Sequence, residues 1–229
     1  MIGVSLDSSA LPSIDTLPEP FRGTLKSMYQ NEPQIGADKL PHELDAVTRI
    51  SITEGMWIYD LCCKLKPQNT LEIGMAYGFS SLYFLAALSK NKVGHHTAVD
   101  PFQHTSWRGI GLAKVEEVGM QMDLIDDLSS LAAADLHKEN RRFEVIFIDG
   151  NHRFDDVIVD FTLFANLCQA NGYVILHDMW MRSIRAATRF IVNNRADFVE
   201  VDTAVPNIGV LHRVGTDVRP WTHFVPFPT

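Results

Sequence analysis

Basic residues are in short supply in this sequence: Lys and Arg number 20 against 28 Asp and Glu, a net charge of −8 over 229 residues. Such a chain lacks the overall positive field that holds a phosphate backbone, so nucleic acid is not expected as a partner. Cysteine is equally scarce. Cys62, Cys63 and Cys168 form an odd set without framework spacing, which predicts free thiols and a reducing compartment, the cytoplasm. No apolar run approaches the ~18 residues of a membrane span. The strongest candidate, Leu82 to Leu88, falls far short, and no membrane association is expected. Met1 to Asp7 holds neither a basic stretch nor a long apolar core, so no signal peptide is expected either.

What is present suits one well-packed domain: 46% apolar and 21% charged residues. Residues 1–50 read as a proline-broken arm and a helical lid, with a short helix from Phe21 to Asn31. Residues 51–215 form the main domain, and residues 216–229 an aromatic, proline-containing tail. Such a tail packs onto the body or onto a second copy, so a homodimer is one way to cover it.

Within the main domain, strands and helices alternate. Strands are expected at Thr70 to Ile73, His96 to Val99, Met122 to Ile125, Phe143 to Ile148 and Tyr173 to Leu176. The run Phe143-Glu144-Val145-Ile146-Phe147-Ile148 is continuous rather than alternating, as a parallel strand buried on both faces requires. Phe154, Val157, Phe161, Phe164 and Cys168 recur at helical steps, with Asn171-Gly172 as the expected stop. Phe198 to Val201 and Ile208 to Arg213 read as a closing antiparallel pair. The pattern predicts an α/β fold with a mostly parallel sheet and right-handed crossovers. Gly74, Asp100, Asp149 and His177-Asp178 all stand where strands end, the edge at which such folds bind ligands. His95 and His96 read as ordinary surface or strand residues.

Gly74 and Gly78 bracket a strand-to-helix turn where backbone must turn sharply and a ligand must come close. The following helix N-terminus offers free N–H groups to an anion, and Ser80 a hydroxyl. Asp100 suits a ribose diol or, alternatively, a turn cap ahead of Pro101. Together they imply a nucleoside-containing cofactor. The spacing Gly74-Met75-Ala76-Tyr77-Gly78 lacks the second close glycine of a dinucleotide fingerprint, which disfavours NAD(P) and leaves a cofactor without pyrophosphate.

The stretch Thr53-Glu54-Gly55, followed by Leu71-Glu72-Ile73-Gly74-Met75-Ala76-Tyr77-Gly78-Phe79-Ser80, resembles the catechol O-methyltransferase-like branch of class I methyltransferases. Phe147-Ile148-Asp149-Gly150-Asn151-His152 and Gly172-Tyr173-Val174-Ile175-Leu176-His177-Asp178 resemble its later motifs, in wording closest to the bacterial group called methyltransferase family 24. The resemblance spans roughly residues 50–215. It implies a Rossmann-like seven-stranded sheet of order 3-2-1-4-5-7-6, helices on both faces and an N-terminal helical extension. It implies S-adenosylmethionine as cofactor, with Glu72, Gly74 and Gly78 shaping the pocket and Ser80 on the methionine carboxylate. Asp100 would take the ribose, Ser129 and Ser130 the adenine edge, and Asp149 would line the same pocket. Ser129-Ser130 equally reads as a helix cap.

For chemistry the resemblance implies O-methylation of a small hydroxylated acceptor, a sugar or natural-product intermediate. Asp149, His177 and Asp178 map onto the positions of metal ligands, and His152 onto that of the catalytic base. His177 stands where relatives carry an acid and His152 where catechol enzymes carry lysine. An imidazole ligand moves the preference from Mg²⁺ toward Mn²⁺, Fe²⁺ or Zn²⁺, or toward no metal at all. With an ordinary imidazole pKa near ~6.5, His152 would serve as a base without tuning; its other reading is a helix-entry residue bonded to Asp155 or Asp156. His104, Trp107 and Trp180-Met181-Arg182 would flank the acceptor. The rival functions are an NAD(P)-dependent oxidoreductase and a non-catalytic S-adenosylmethionine-binding module.

Overall fold

The computed structural model describes residues 12–227. The first eleven residues of the expected arm and the last two of the tail lie outside them. After a short 3₁₀ turn at Ile14–Thr16, helix α1 runs Phe21–Tyr29, and a two-residue hairpin follows, β1 (Gln34–Ile35) and β2 (Pro41–His42). Next come α2 (Ile52–Leu65), β3 (Asn69–Ile73), α3 (Phe79–Asn91), β4 (His95–Val99), α4 (Ile110–Glu117) and β5 (Asp123–Ile125). The chain continues through α5 (Ser129–Lys138), β6 (Phe143–Ile148), α6 (Phe154–Phe164), β7 (Cys168–Leu176) and α7 (Arg182–Asn194). It closes with β8 (Phe198–Val201) and β9 (Gly209–Arg213).

Seven of these strands make one sheet in the order β5-β4-β3-β6-β7-β9-β8, which is the expected 3-2-1-4-5-7-6. β5 through β7 are parallel, and β9 runs antiparallel to both β7 and β8. The unbroken apolar run of β6 explains the layering. Val145 and Phe147 join a core with α2 and α3, whereas Ile146 and Ile148 point into a core with α5, α6 and α7. Each such fully buried side chain contributes about 1.5–3 kcal/mol of apolar transfer, so the central strand anchors both layers.

Two local devices set the lid side of the sheet. Ser51 caps α2 in a reciprocal box: its hydroxyl accepts the Glu54 N–H at 3.3 Å, while the Glu54 carboxylate accepts the Ser51 N–H. Gly55 lets α2 lie directly on α3, since a Cβ there would sit 2.0 Å from the Tyr83 ring.

The structure departs from the periodicity at α6. The helix stops at Phe164, a turn over residues 165–167 follows, and Cys168 already belongs to β7. Asn171-Gly172 lies inside that strand, with Asn171 at φ 63° beside a register shift against β6. Helical spacing of apolar residues cannot tell a helix end from the buried strand that follows it. Of the two readings of His96, surface or strand, the strand one holds, and the residue is fully buried in β4. The tail is tied to α7 by Arg219 on the Asn194 carbonyl and by the Val225 backbone on the Asn194 side chain, and Phe227 lies against Phe154 and Phe190, whereas Trp221 and Phe224 stay exposed.

Candidate active site

Parallel register brings the strand-end residues level. Ile73 pairs with Val99 and with Ile148, and Ile148 pairs with Leu176, so Gly74, Asp100, Asp149 and His177 emerge side by side at one edge. A cavity of about 850 Å³ opens over them. It is walled by the Gly74–Ser80 turn, Asp100 to Phe102, Leu128 to Ser130, Asp149 to His152 and His177 to Met181, and is closed on the lid side by Val47 to Ile50.

At one end the walls are made of backbone and neutral hydroxyls. Gly74 has φ 89°, and a Cβ there would fall 2.2 Å from the Asp149 carbonyl oxygen, so neither the turn nor the approach of β6 tolerates a side chain. Asp100 clasps the turn. Its Oδ2 accepts N–H groups from Met75 at 3.1 Å and Ala76 at 2.8 Å, and its Oδ1 accepts the Phe102 N–H at 2.8 Å. The expected ribose ligand is therefore also a turn cap, and both readings of this residue apply to one carboxylate. Gly78 begins α3 without a side-chain cap, which leaves the first amide groups of the helix available to an anion.

Ser80 donates its hydroxyl proton to Glu72 at 2.5 Å. Glu72 also accepts from Ser81, and from His96 Nε2 at 3.0 Å, while His96 Nδ1 meets the Thr70 hydroxyl at 2.8 Å. This network is buried beneath the turn. With its proton engaged on Glu72, the Ser80 hydroxyl faces the cavity as an acceptor, and the uncapped helix amides remain as donors to a carboxylate. Ser129 and Ser130 open α5 on the cavity wall, where Ser129 donates to Asp160 at 2.6 Å.

At the other end, charges face one another. His152 Nε2 lies 2.7 Å from Asp178 Oδ2 and 3.6 Å from Asp149 Oδ1, and is buried outside good hydrogen-bonding direction to either. Ligand atoms of Asp149, His152 and Asp178 all fall within 4.8 Å of one another. The trio that geometry gathers thus contains His152 in place of the expected His177. His177, only 6% exposed, is held between two carboxylates: Nδ1 is 3.1 Å from Asp149 and Nε2 is 3.5 Å from Glu54. Both of its nitrogens are occupied, which leaves none for a cation.

Protonation follows from this crowding. The carboxylates of Asp149 and Asp178 push His152 up to about 9, so at neutral pH it is an imidazolium rather than a base at its ordinary value. Burial works against charge on His177, yet Asp149 and Glu54 carry it up to about 10. Burial likewise opposes ionisation of Glu54, but hydrogen bonds with His177, Ser51 and Asn207 draw it down to about 2. Burial opposes ionisation of Asp178, yet the His152 imidazole at 2.7 Å, the charge of His177 and hydrogen bonds from Trp180 and Asn207 hold it well below the usual carboxylate range. Asp178 also sits at φ 58°, a left-handed backbone that non-glycine residues seldom adopt, and the Trp180 indole N–H donates to it at 2.9 Å.

Asn207 is the residue that reading along the chain misses. Its amide donates to Glu54 Oε1 at 2.8 Å and lies 3.3 Å from both His177 and Asp178. It reaches the site because β9 runs antiparallel to β7, so the turn before β9 lies at the ligand-binding edge, Gly209 pairing with Leu176. Nothing local to Pro206-Asn207 signals this. Gln103 is a second such residue, donating to the Ala76 carbonyl at 2.7 Å and so bracing the turn. Of the expected acceptor-flanking residues, Trp107, Trp180 and Met181 line the cavity; His104 pairs with Asp126 instead.

Residues 71–179 match the model of a family described as a methyltransferase domain. No curated protein sequence matches the chain. Among solved structures, a methyltransferase from Podospora anserina with S-adenosylhomocysteine bound is similar at TM-score 0.67 and 15% identity, covering 87% of this chain and 89% of that one. An O-methyltransferase from Bacillus cereus in complex with S-adenosylhomocysteine is similar at 0.63 and 18%, covering 84% and 91%. The O-methyltransferase TomG of Streptomyces achromogenes, involved in tomaymycin synthesis and solved with S-adenosylmethionine, is similar at 0.63 and 16%, covering 87% and 92%.

Proposed function

We propose that this chain, whose residues 71–179 match a methyltransferase domain and whose fold is that of S-adenosylhomocysteine-binding methyltransferases, transfers a methyl group from S-adenosylmethionine to a hydroxyl of a small acceptor. The observation that carries this reading is the single cavity joining the Gly74–Asp100 turn to the Asp149–His152–Asp178 cluster. In this reading the uncapped amides of α3 take the methionine carboxylate and Asp100 Oδ1 takes the ribose diol. Gly74 admits the cofactor against β6. The acceptor oxygen attacks the sulfonium methyl carbon, the C–S bond breaks, and the hydroxyl proton passes to a base.

His152 is the residue placed for that proton. Held up to about 9, it accepts only from its neutral fraction, so transfer should speed up as pH rises toward that value. Alternatively, Asp149, His152 and Asp178 fit a divalent cation by donor set, two carboxylates and one imidazole with a buried Nε2 left without a well-directed partner, in which case His152 is a ligand through that nitrogen and not the base. Such a mixed set suits Mn²⁺, Fe²⁺ or Zn²⁺ better than Mg²⁺. When bound, the ion would lower the pKa of the acceptor hydroxyl.

Small apolar or aromatic acceptors suit the mouth, where Trp180 stands 67% exposed with its N–H already engaged on Asp178. A cytoplasmic setting belongs to the same reading and is supported by three unpaired cysteines. Among the described residues no helix is long and apolar enough to cross a membrane. A second reading, a binding module that does not transfer, is favoured by His177, which occupies Asp149 and Glu54 with its own charge.

Isothermal titration with S-adenosylmethionine and S-adenosylhomocysteine tests the donor: binding of both is expected, and binding of neither would sink the proposal. Turnover on a panel of small hydroxylated acceptors, with and without Mn²⁺, separates enzyme from binding module.

A further inference from the structure

The cavity wall at residues 178–181 is a connection between β7 and α7, the kind of segment that is mobile by default. Here every backbone polar group of its two middle residues is tied down. The Met179 N–H donates to the Asn207 carbonyl at 3.2 Å, and the Trp180 N–H to Asn207 Oδ1 at 3.2 Å. From α7, the single nitrogen Nη1 of Arg185 donates to the Met179 carbonyl at 2.9 Å and to the Trp180 carbonyl at 2.6 Å. The Met181 N–H closes the turn on the Asp178 carbonyl at 2.9 Å. The Met179 side chain is seated as well: the Thr188 hydroxyl reaches its sulfur at 3.5 Å, and a Cβ on Gly209 would stand 2.9 Å from that sulfur. What this fixed backbone carries is the largely exposed ring of Trp180.

Helix α7 by itself gives no reason for Arg185. It is the fourth residue of the helix, where a cation works against the helix dipole, and no acidic partner for it is found among the described residues. Nor does it line the cavity. Its charge is directed wholly at the two carbonyls, bonds that an ionised donor makes roughly twice as strong as a neutral one. We propose that Arg185 is a positioning residue for the methyl acceptor: with Asn207 it holds the Met179–Trp180 backbone, and through it the Trp180 ring, as a preformed wall. This rests on the transfer reading above, in which this end of the cavity receives the acceptor. Arg185 touches no reactant and acts through Trp180. A wall ordered beforehand removes the ordering cost that would otherwise fall on the acceptor as it stacks. Asn207 sets the wall in register with the reacting cluster, since the side chain that receives the Trp180 N–H also donates to Glu54.

The test labels the chain with 5-fluorotryptophan and follows the fluorine resonance of Trp180, identified among the four tryptophans by its loss in W180F. In wild type it should stand apart from the free amino acid. In R185M it should collapse toward that position while the other three resonances stay in place; a general loss of stability would not single out Trp180. R185Q, whose one amide is too short to span both carbonyls, is the milder variant and should move the resonance the same way. The second readout is the calorimetric affinity of the S-adenosylhomocysteine-loaded protein for 2-naphthol, a flat apolar ring with one hydroxyl. R185M should weaken it by about tenfold, with affinity for S-adenosylhomocysteine unchanged. Added to W180A, R185M should cost no more than about twofold further, because the effect of a residue that acts through another is not additive with the loss of that other. A Trp180 resonance unmoved in both variants, or the same loss of 2-naphthol affinity in the W180A background, overturns this inference alone. Wild type that binds S-adenosylhomocysteine but not 2-naphthol overturns the acceptor reading of this end, and the inference with it. Binding of neither compound overturns the cofactor reading as well.

Discussion

Carboxylates at the Gly74 end of the cavity are satisfied mainly by backbone amides and hydroxyls, with one buried imidazole beneath, whereas those at the Asp149 end crowd around two histidines. Asp100 is satisfied by the amides of its own turn, and Glu72 by two serines and a buried histidine. Across the cavity, Asp149, Asp178 and Glu54 surround two histidines carried up to about 9 and about 10. One half is thus organised by shape before a ligand arrives. The other is organised by ion pairs among the side chains that chemistry would use. Binding of the donor should therefore tolerate changes of pH and charge, and transfer should not.

The sharpest way to break this contrast is D149A. Removing that carboxylate should lower transfer by about 10³-fold or more, the scale of losing several kcal/mol of charge stabilisation. Calorimetric affinity for S-adenosylhomocysteine should meanwhile change only a few-fold; a parallel loss would mean that the halves are not separable. G74A asks the converse question. Its Cβ would meet the Asp149 carbonyl at 2.2 Å with φ at 89°, so cofactor affinity should drop by about 10²-fold or more while circular dichroism stays native.

H152Q should cost about 10²-fold in turnover and abolish the rise of rate toward pH 9, since a carboxamide does not titrate in this range. A pH–rate profile unchanged by the substitution would reject the base. The smallest effect is on stability. A histidine raised from 6.5 to about 10 on folding contributes its stabilisation in full below pH 6.5 and loses it as pH climbs through 10. The melting temperature of wild type should thus fall by a few degrees between pH 7 and pH 10, and H177Q, lower at pH 7, should show a flatter profile.

The sheet is legible in the sequence because buried parallel strands write themselves as continuous apolar runs, as at Phe143 to Ile148. Strand ends then put Asp100, Asp149 and His177 at one edge by topology alone. What stays hidden is what only folding brings together. Glu54 and Asn207 are 153 residues apart in the chain, and neither carries a local pattern that announces the other. His152 rather than His177 groups with Asp149 and Asp178 for a related reason. Position along a strand end says which residues are near, while the choice of ligand or ion-pair partner depends on Glu54 arriving from α2 to engage His177. The burial of His96 is hidden too, because a five-residue strand covered on both faces gives no alternation to mark a wet side.

The turn that carries Asn207 has a consequence for the order in which the protein is made. Ribosomes deliver the donor-binding segments, from Glu72 through Ser130, long before residue 207. A chain released early, or clipped ahead of β9, would keep the Gly74 turn and its clasp yet leave Glu54, His177 and Asp178 without the amide that ties them together. Completion of the reacting half is thereby postponed to nearly the last stage of synthesis.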